Sequence, residues 1–142
     1  MKVMNPVTRQ IVARGGAGGQ LALLHYRGRR SGRHFDTPVG YHRIGGDLYV
    51  LTNSPWRHNL EGGVPVEVTI RGRRRAAFAV LDQDPERVTD LYQEVIDEVG
   101  WKPAQGRLGL RINVARRPTR EELRTAVTTS GLSAIRLEGE DL

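Results

Sequence analysis

The loop Arg27–Arg33 carries more potential chemistry than any other stretch of this chain. It combines four arginines, two glycines and a serine between two strand-like runs. Glycine lets a backbone turn and brings N–H groups close to a ligand, because it has no Cβ. Arginine presents a planar, permanently charged fork that matches carboxylate and phosphate oxygens. The loop therefore predicts a receptor for a phosphorylated or polyanionic ligand, and the alternative is a solvated basic turn.

A second segment, Asn53–Leu60, places an aromatic ring near an amide. Trp56 and Asn59 are three residues apart, so on a short helical turn they would face the same side. An aromatic plane beside an amide group suits a flat heteroaromatic ligand. The alternative is that Trp56 and Leu60 only seal one end of a β-structure.

Other catalytic patterns are missing from the sequence. Cysteine is absent, which excludes disulfides, thiolate metal sites and cysteine nucleophiles. No serine stands in a Gly-x-Ser-x-Gly elbow, and no glycine-rich phosphate loop follows a strand and opens a helix. Tyr41 and Tyr49 are weak candidates for a proton donor, for which a core or surface role is expected. The histidines do not have metal-ligand spacing, and these are His25, His34, His42 and His58.

Composition indicates one domain with an anionic partner. A chain of 142 residues is long enough for one core, and its formal charge of +6 comes almost entirely from arginine. The basic residues cluster, whereas acidic residues concentrate in Asp82–Glu98 and Glu138–Asp141. This asymmetry favours a nucleotide-like cofactor, a nucleic acid or an anionic lipid as partner. Outside the loop the clustered arginines are Arg71, Arg73, Arg74, Arg75, Arg116, Arg117 and Arg120.

No apolar run is long enough to span a membrane, and Met1–Pro6 lacks the apolar core of a signal peptide. The sequence therefore predicts a cytoplasmic protein without a transmembrane segment.

The elements that would position these residues are mostly short strands. Hairpin signals at Gly45–Asp47 and Arg71–Arg73 separate alternating runs. Apolar spacing predicts one long helix from Asp84 to about Val99, and Thr119 with Glu122 forms a capping box for another, to about Thr129. The predicted strands are Leu21–Tyr26, Phe35–Ile44, Leu48–Thr52, Val64–Ile70, Arg74–Leu81, Leu108–Val114 and Leu132–Leu137, with a helix over residues 6–14, a helical turn at Trp56–Leu60 and a loop at Trp101–Gly106.

Closely spaced strands joined by hairpins predict a mainly β fold, an antiparallel β-barrel with flanking helices. We expect a single domain over residues 1–142. Its parts are an N-terminal helix and linker (1–19), a barrel with an inserted helix (20–114) and a C-terminal helix and strand (115–142).

The order of several short motifs then resembles a known family. These motifs are Gly28–Arg33, Thr37–Val39, Gly45–Val50, Trp56–Leu60 and Val66–Val68. Together they are similar to the deazaflavin (F420)-dependent nitroreductase family, split β-barrel oxidoreductases of the FMN-binding type that use reduced coenzyme F420. The resemblance covers about residues 20–82.

The resemblance implies which residues hold the cofactor. Its phosphate and acidic tail would lie on the arginine loop, and its ring would lie beside Pro38 and the strand end at Leu51–Asn53. The chain departs from the family's pattern in three places. Only Ser54 and Pro55 separate Asn53 from Trp56, where the family has a longer loop. Gly40 stands where some members have an aromatic residue, and the chain beyond Val99 lacks the family's tyrosine cluster. The residues carried over are Arg29, Arg30, Ser31, Arg33, Thr37, Pro38, Leu51, Thr52, Asn53, Trp56 and Asn59.

The resemblance further implies hydride transfer to a small hydrophobic acceptor, such as a quinone, a nitro compound or an activated double bond. FMN is the alternative cofactor. A non-catalytic barrel that holds a flavin-type cofactor or an anionic lipid is the alternative function. A nucleic-acid-binding barrel is less favoured, because few exposed aromatic residues are available for base stacking. By analogy with other split barrels we also expect a homodimer, with Leu132–Leu137 as its interface.

Overall fold

The computed structural model describes residues 11–13 and 20–142, and six of its strands close an antiparallel barrel. A two-stranded ribbon, β1 (Ile11–Ala13) with β7 (Leu110–Ile112), lies outside this barrel. The predicted fold class, a β-barrel with flanking helices, is therefore confirmed. The barrel strands are β2 (Gln20–Arg27), β3 (His34–Ile44), β4 (Asp47–Thr52), β5 (Val64–Ile70), β6 (Arg73–Asp82) and β8 (Ser133–Glu138), and they pair in the order β2-β3-β4-β8-β6-β5.

Within the described residues, three α-helices and one 3-10 helix flank the barrel. They are α1 (Pro85–Val99), α2 (Trp101–Leu108), α3 (Arg120–Ser130) and the 3-10 helix Pro55–Leu60. The Asp84 side chain caps α1 by accepting from the Arg87 N–H, and Thr119 with Glu122 forms the expected capping box of α3. The helical turn predicted at Trp56–Leu60 is confirmed as the 3-10 helix.

The strand β8 corrects two expectations. It lies between β4 and β6, paired with both, so the barrel takes a strand from residues 115–142 and does not end at residue 114. Because both edges of β8 are occupied within the chain, its backbone is not open to a second subunit. The side chains of Leu132, Ala134, Ile135 and Leu137 are also buried within the chain, so this segment offers no exposed apolar face for the expected interface, and the dimer itself stays a prediction.

Two apolar cores result from this arrangement. One fills the barrel, with Val50, Val68 and Ile135 almost fully buried. The other lies between the helices and the outer face of the barrel, where Leu51 and Tyr92 pack. Neighbouring residues of β4 thus face opposite cores, as the alternation of a strand requires.

The helix predicted over residues 6–14 is wrong where it can be compared, since Ile11–Ala13 forms β1, and its other residues lie outside the described ones. The predicted strand Leu108–Val114 is shorter, at Leu110–Ile112.

The predicted loop Trp101–Gly106 is also wrong, because it begins the helix α2. Pro103 lies in the first turn, where a helix tolerates the missing N–H. Ala104 and Leu108 are buried four residues apart, so packing of this face outweighs the poor helix propensity of Gly106.

Candidate cofactor site

A cleft opens where β3 and β4 separate. The two strands pair only from His42↔Tyr49 to Ile44↔Asp47, although both continue beyond this point. From there β3 follows β2, and β4 follows β8. The main-chain groups of residues 50–52 that face β3 therefore lie outside any strand pair that the structure describes. Such an edge offers hydrogen-bond donors and acceptors to a ligand.

The cleft holds a cavity of about 260 Å³. Four predicted cofactor residues meet here, namely Pro38, Leu51, Thr52 and Trp56. Proline cannot donate a ladder hydrogen bond, so Pro38 suits a strand edge without a partner. Gly40 adds no side chain to the opening. The lining residues are Pro38, Val39, Gly40, Val50, Leu51, Thr52, Ser54, Trp56 and Arg107.

The arginine loop is a tight turn closed by its own backbone. The Gly28 N–H donates to the Arg33 carbonyl at 2.8 Å, and the Gly32 N–H donates to the Gly28 carbonyl at 2.8 Å. A Cβ at position 28 would lie 2.9 Å from both the Phe35 ring and Ser31 Oγ, so only glycine fits there. Ser31 Oγ also accepts from the Arg33 N–H at 3.2 Å, which gives this hydroxyl a structural role.

Asn59 connects this loop to the 3-10 helix. Its Oδ1 accepts from the Arg29 N–H at 3.0 Å, and its Nδ2 donates to the Trp56 carbonyl at 2.9 Å. The Arg29 guanidinium pairs with Glu61 at 2.6 Å. Hydrogen bonds from His58 and Arg29 hold the pKa of the Glu61 carboxyl below its usual value. Asn59 and Arg29 therefore fix the loop in place.

Arg30 and Arg33 differ from Arg29, because no acidic side chain among the described residues pairs with either of them. The Arg33 guanidinium lies over the Phe35 ring, 5.7 Å from its centre. A second cavity, of about 370 Å³, opens beside them. Its lining residues are Gly28, Arg29, Arg30, Ser31, Phe35, Pro55, His58 and Asn59.

An aromatic stack lies between the loop and the cleft. Trp56 stacks on Tyr26 with ring centres 5.4 Å apart, and Tyr26 stacks on Phe35 at 5.7 Å. The Tyr26 hydroxyl lies 2.8 Å from Thr37 Oγ1, so the predicted residue Thr37 orients the stack and does not line the cleft. Trp56 packs at the end of the barrel and also lines the cleft. The two interpretations of this residue, sealing a β-structure and contacting a ligand, are therefore compatible.

Asn53 turns away from the cleft toward α3. Its side-chain amide donates to the Ser130 carbonyl at 3.1 Å, and its own carbonyl accepts from Arg57 Nη1 at 2.7 Å. Arg57 Nε donates to Ser133 Oγ at 3.1 Å. No sequence pattern marks Arg57 as a contact residue, because its partners are neutral groups.

Arg107 was missed for a different reason. It lies on α2, between the predicted loop Trp101–Gly106 and the predicted strand Leu108–Val114, and it lines the cleft without an acidic partner in the described part of the chain. Its positive charge is suited to stabilise negative charge that develops on a bound molecule.

The histidines have local structural roles. His25 contacts Asp36 at 2.6 Å through Nδ1 and Thr69 at 2.7 Å through Nε2, and its hydrogen bond is the main reason why the pKa of Asp36 is lowered. His58 contacts Glu61 at 2.7 Å. No group of three or more metal-ligating side chains occurs within residues 11–13 and 20–142.

The fold is a barrel with a cleft at a split strand pair, and beside the cleft Arg30 and Arg33 lack acidic partners among the described residues. Such an arrangement suits a flat ligand with an anionic part. The comparison with known families makes this class of ligand specific. A sequence model of the F420H(2)-dependent quinone reductase family matches residues 4–115. The chain belongs to this family, which confirms the resemblance found in the motif order. The predicted function, an F420-dependent oxidoreductase acting on quinones, and the predicted cofactor F420 are those of the family.

Two individual proteins are similar to parts of this chain. An NAD-specific glutamate dehydrogenase from Achlya klebsiana is 32% identical over 71 residues, which are 49% of this chain and 7% of that protein. The structure of an FAD and heme binding protein from Mycobacterium smegmatis matches with 22% identity and a TM-score of 0.48. That match covers 86% of this chain and 62% of the other.

Across the described residues, no helix combines the length and the apolar character that crossing a bilayer requires.

Proposed function

We propose that this chain binds coenzyme F420 across the 3-10 helix Pro55–Leu60, with the anionic tail on the arginine loop and the ring in the cleft between β3 and β4. The cleft would then hold the ring beside the space in which a quinone is reduced. The observation that supports this best is that consecutive residues of the 3-10 helix line the two cavities. Trp56 lines the cleft, and its neighbour Pro55 lines the cavity beside the loop.

The loop suits a phosphate and carboxylate tail. Arg30 and Arg33 are exposed and lack acidic partners among the described residues, so an incoming anion need not displace an ion pair. Arg29 keeps its contact with Glu61 and holds the loop shape. The tail would therefore gain charge-assisted hydrogen bonds from Arg30 and Arg33 without a change in the turn.

The cleft suits a planar ring with polar edges. Its walls are apolar at Val39, Leu51 and Trp56, while the β3-facing main chain of residues 50–52 offers donors and acceptors. This combination of apolar walls with a few polar groups is typical of cofactor pockets. The residues present therefore fit the group that the family uses.

When bound, F420H2 supplies the hydride, and the protein supplies binding, orientation and electrostatics. We assign Arg107 to the acceptor side of the cleft, where a guanidinium stabilises the negative charge that a quinone oxygen gains on reduction. Trp56 keeps water from one face of the cleft and fixes the position of its contents.

A direct test replaces Arg30 and Arg33 together, two loop arginines that have no acidic partner among the described residues. The double variant Arg30→Gln, Arg33→Gln should weaken F420 binding by about 2–5 kcal/mol, the scale of two charge-assisted hydrogen bonds. Its stability should hardly change, because exposed charges contribute little to folding. Titration followed by tryptophan fluorescence measures the dissociation constant.

The matched control is the double variant Lys102→Gln, Arg111→Gln, which removes the same charge from exposed positions on α2 and β7. It should bind F420 as the unchanged protein does. If the unchanged protein and both double variants bind F420 with equal dissociation constants, the loop does not bind the cofactor and is an ordinary solvated surface.

A non-catalytic carrier is the second candidate, and one observation favours it. Among the described residues, none that lines the cleft is a tyrosine, a histidine or a carboxylic acid, the usual proton donors. Single-turnover measurements with F420H2 and a series of quinones separate the two functions. Tight cofactor binding without oxidation by any quinone would establish the carrier.

The cytoplasmic location and the homodimer stay predictions. Sedimentation with and without F420 tests the dimer, whose interface must lie elsewhere than on the edges of β8.

A further inference from the structure

A third cavity lies at the opposite end of the barrel from the arginine loop. The loop follows the last residue of β2, whereas this cavity includes Gln20, the first residue of that strand. It has a volume of about 600 Å³ and extends from the barrel mouth at the β5–β6 hairpin to α1 and α2. Its size is that of a small-molecule site.

The walls of this cavity are strongly basic. Five guanidiniums face two carboxylates, Glu98 and Asp141. Two of the five arginines have partners within the chain. Arg75 lies 3.6 Å from Asp141, and Arg43 donates to the Leu142 carbonyl at 2.9 Å. The other three arginines have no acidic partner among residues 11–13 and 20–142, and these are Arg71, Arg73 and Arg107.

Arg71 occupies a backbone position that arginine rarely adopts. Its φ is 52° and that of Gly72 is 78°, so the two central residues of the β5–β6 hairpin both have positive φ. Such turns favour Asn, Asp or Gly, because a long side chain is strained there. An arginine at this position sacrifices some stability, and strain of this kind is concentrated at functional sites. Its side chain lines the cavity.

The hairpin directs further charge into the same space. Arg73 and Arg75 alternate with exposed residues on β6 and share a face with Ala77 and Ala79, which are buried in the barrel. By the alternation of a strand, the first two side chains point toward the barrel mouth. Below them lies the apolar side chain of Val68, which is fully buried.

We propose that this cavity binds a small organic polyanion, a molecule with at least two carboxylate or phosphate groups, at a site that shares Arg107 with the acceptor side of the cleft. Unpaired guanidiniums on the β5–β6 hairpin and on α2 would each hold one anionic group. Arg107 lines both this cavity and the cleft, so an anion here would lie next to the acceptor side of the cofactor site.

Citrate and inorganic pyrophosphate serve as probes for the two anionic chemistries. Isothermal titration at low ionic strength should show saturable binding of at least one of them. The double variant Arg71→Asn, Arg73→Gln should weaken this binding by about 100-fold or more, because each charged hydrogen bond contributes about tenfold or more in affinity. Asparagine suits the positive φ at position 71, so the variant should remain folded.

Two further variants make the result specific. Arg30→Gln with Arg33→Gln alters the loop, and Lys102→Gln with Arg111→Gln alters charge elsewhere, and both should bind the probe normally. The proposal is overturned if neither probe binds, if the loop variant alone loses binding, or if all three variants weaken it equally. Because F420 binding is measured separately on the same proteins, a failure here is distinguishable from a failure of the proposed function.

Discussion

Trp56 has a double role because a single ring contacts both the barrel and the cleft. One face stacks on Tyr26 within the barrel end, and the residue also lines the cavity between β3 and β4. The sequence predicted its importance from its spacing to Asn59. It did not predict Tyr26, because a tyrosine within a strand gives no sign of what stacks upon it.

Comparing Trp56→Ala with Trp56→Phe separates these roles. The alanine variant should lose about 2–4 kcal/mol of folding free energy together with F420 affinity, because it leaves a void against Tyr26. Phenylalanine retains the stacking and should recover most of the stability. Urea denaturation and fluorescence of bound cofactor measure the two effects. An alanine variant as stable as the unchanged protein would contradict the packing role.

His42 gives the protein a pH dependence at a single residue. Burial, aided by the charge of Arg107, lowers the pKa of His42 to about 4. The unfolded chain therefore takes up a proton near pH 6.5, whereas the folded protein takes it up only near pH 4. The free energy of unfolding therefore has its full value above pH 6.5 and decreases by on the order of 3 kcal/mol as the pH falls from 6.5 to 4.

His42→Gln should remove this decline without removing the contributions of the carboxylates. Denaturant unfolding of both proteins between pH 4 and pH 7 measures the difference. Parallel stability curves over this range would show that His42 is accessible to protons in the folded protein.

At the scale of elements, short sequence patterns correctly predicted the helices and hairpins that depend on residues close in sequence. Capping residues and apolar spacing located α1 and α3, and glycines located the hairpins. The cleft could not be predicted in this way, because β4 leaves β3 to pair with β8, which is distant in sequence. The helix α2 was missed because Pro103 and Gly106 weaken its local signal, and Arg107 was missed with it.

The capping box of α3 provides a test at this scale. Thr119→Ala should cost about 1 kcal/mol, since the Glu122 N–H loses the hydroxyl that accepts from it. Hydrogen bonds from Arg116 and the Thr119 backbone lower the pKa of Glu122 to about 2, so its contribution is present above pH 4.5 and is lost as the pH falls toward 2. Thermal unfolding at pH 7 measures the cost, and a variant with unchanged stability would exclude the cap as a stabilising contact.

At the scale of the molecule, the charge asymmetry of the sequence divides into two parts. The basic cluster near α3 faces the acidic helix α1, so these charges neutralise one another and leave little for a ligand. The pairs are Arg117 with Asp97, Arg120 with Glu86 and Asp90, and Arg124 with Glu86. Within the described residues, two groups of arginines without acidic partners remain, one at each end of the barrel. The sequence alone could not show this, because pairing depends on how the helices pack.

The central place of β8 also constrains how the molecule folds. Strands β2 to β6 precede it by a long stretch of chain, yet β4 and β6 meet only through it. Before β8 pairs with them, one edge of β4 and one edge of β6 are open to other chains. The barrel therefore closes late in folding, through contacts between residues far apart in sequence. Folding should therefore be slow for a chain of this length, with aggregation through β4 and β6 as its main competitor.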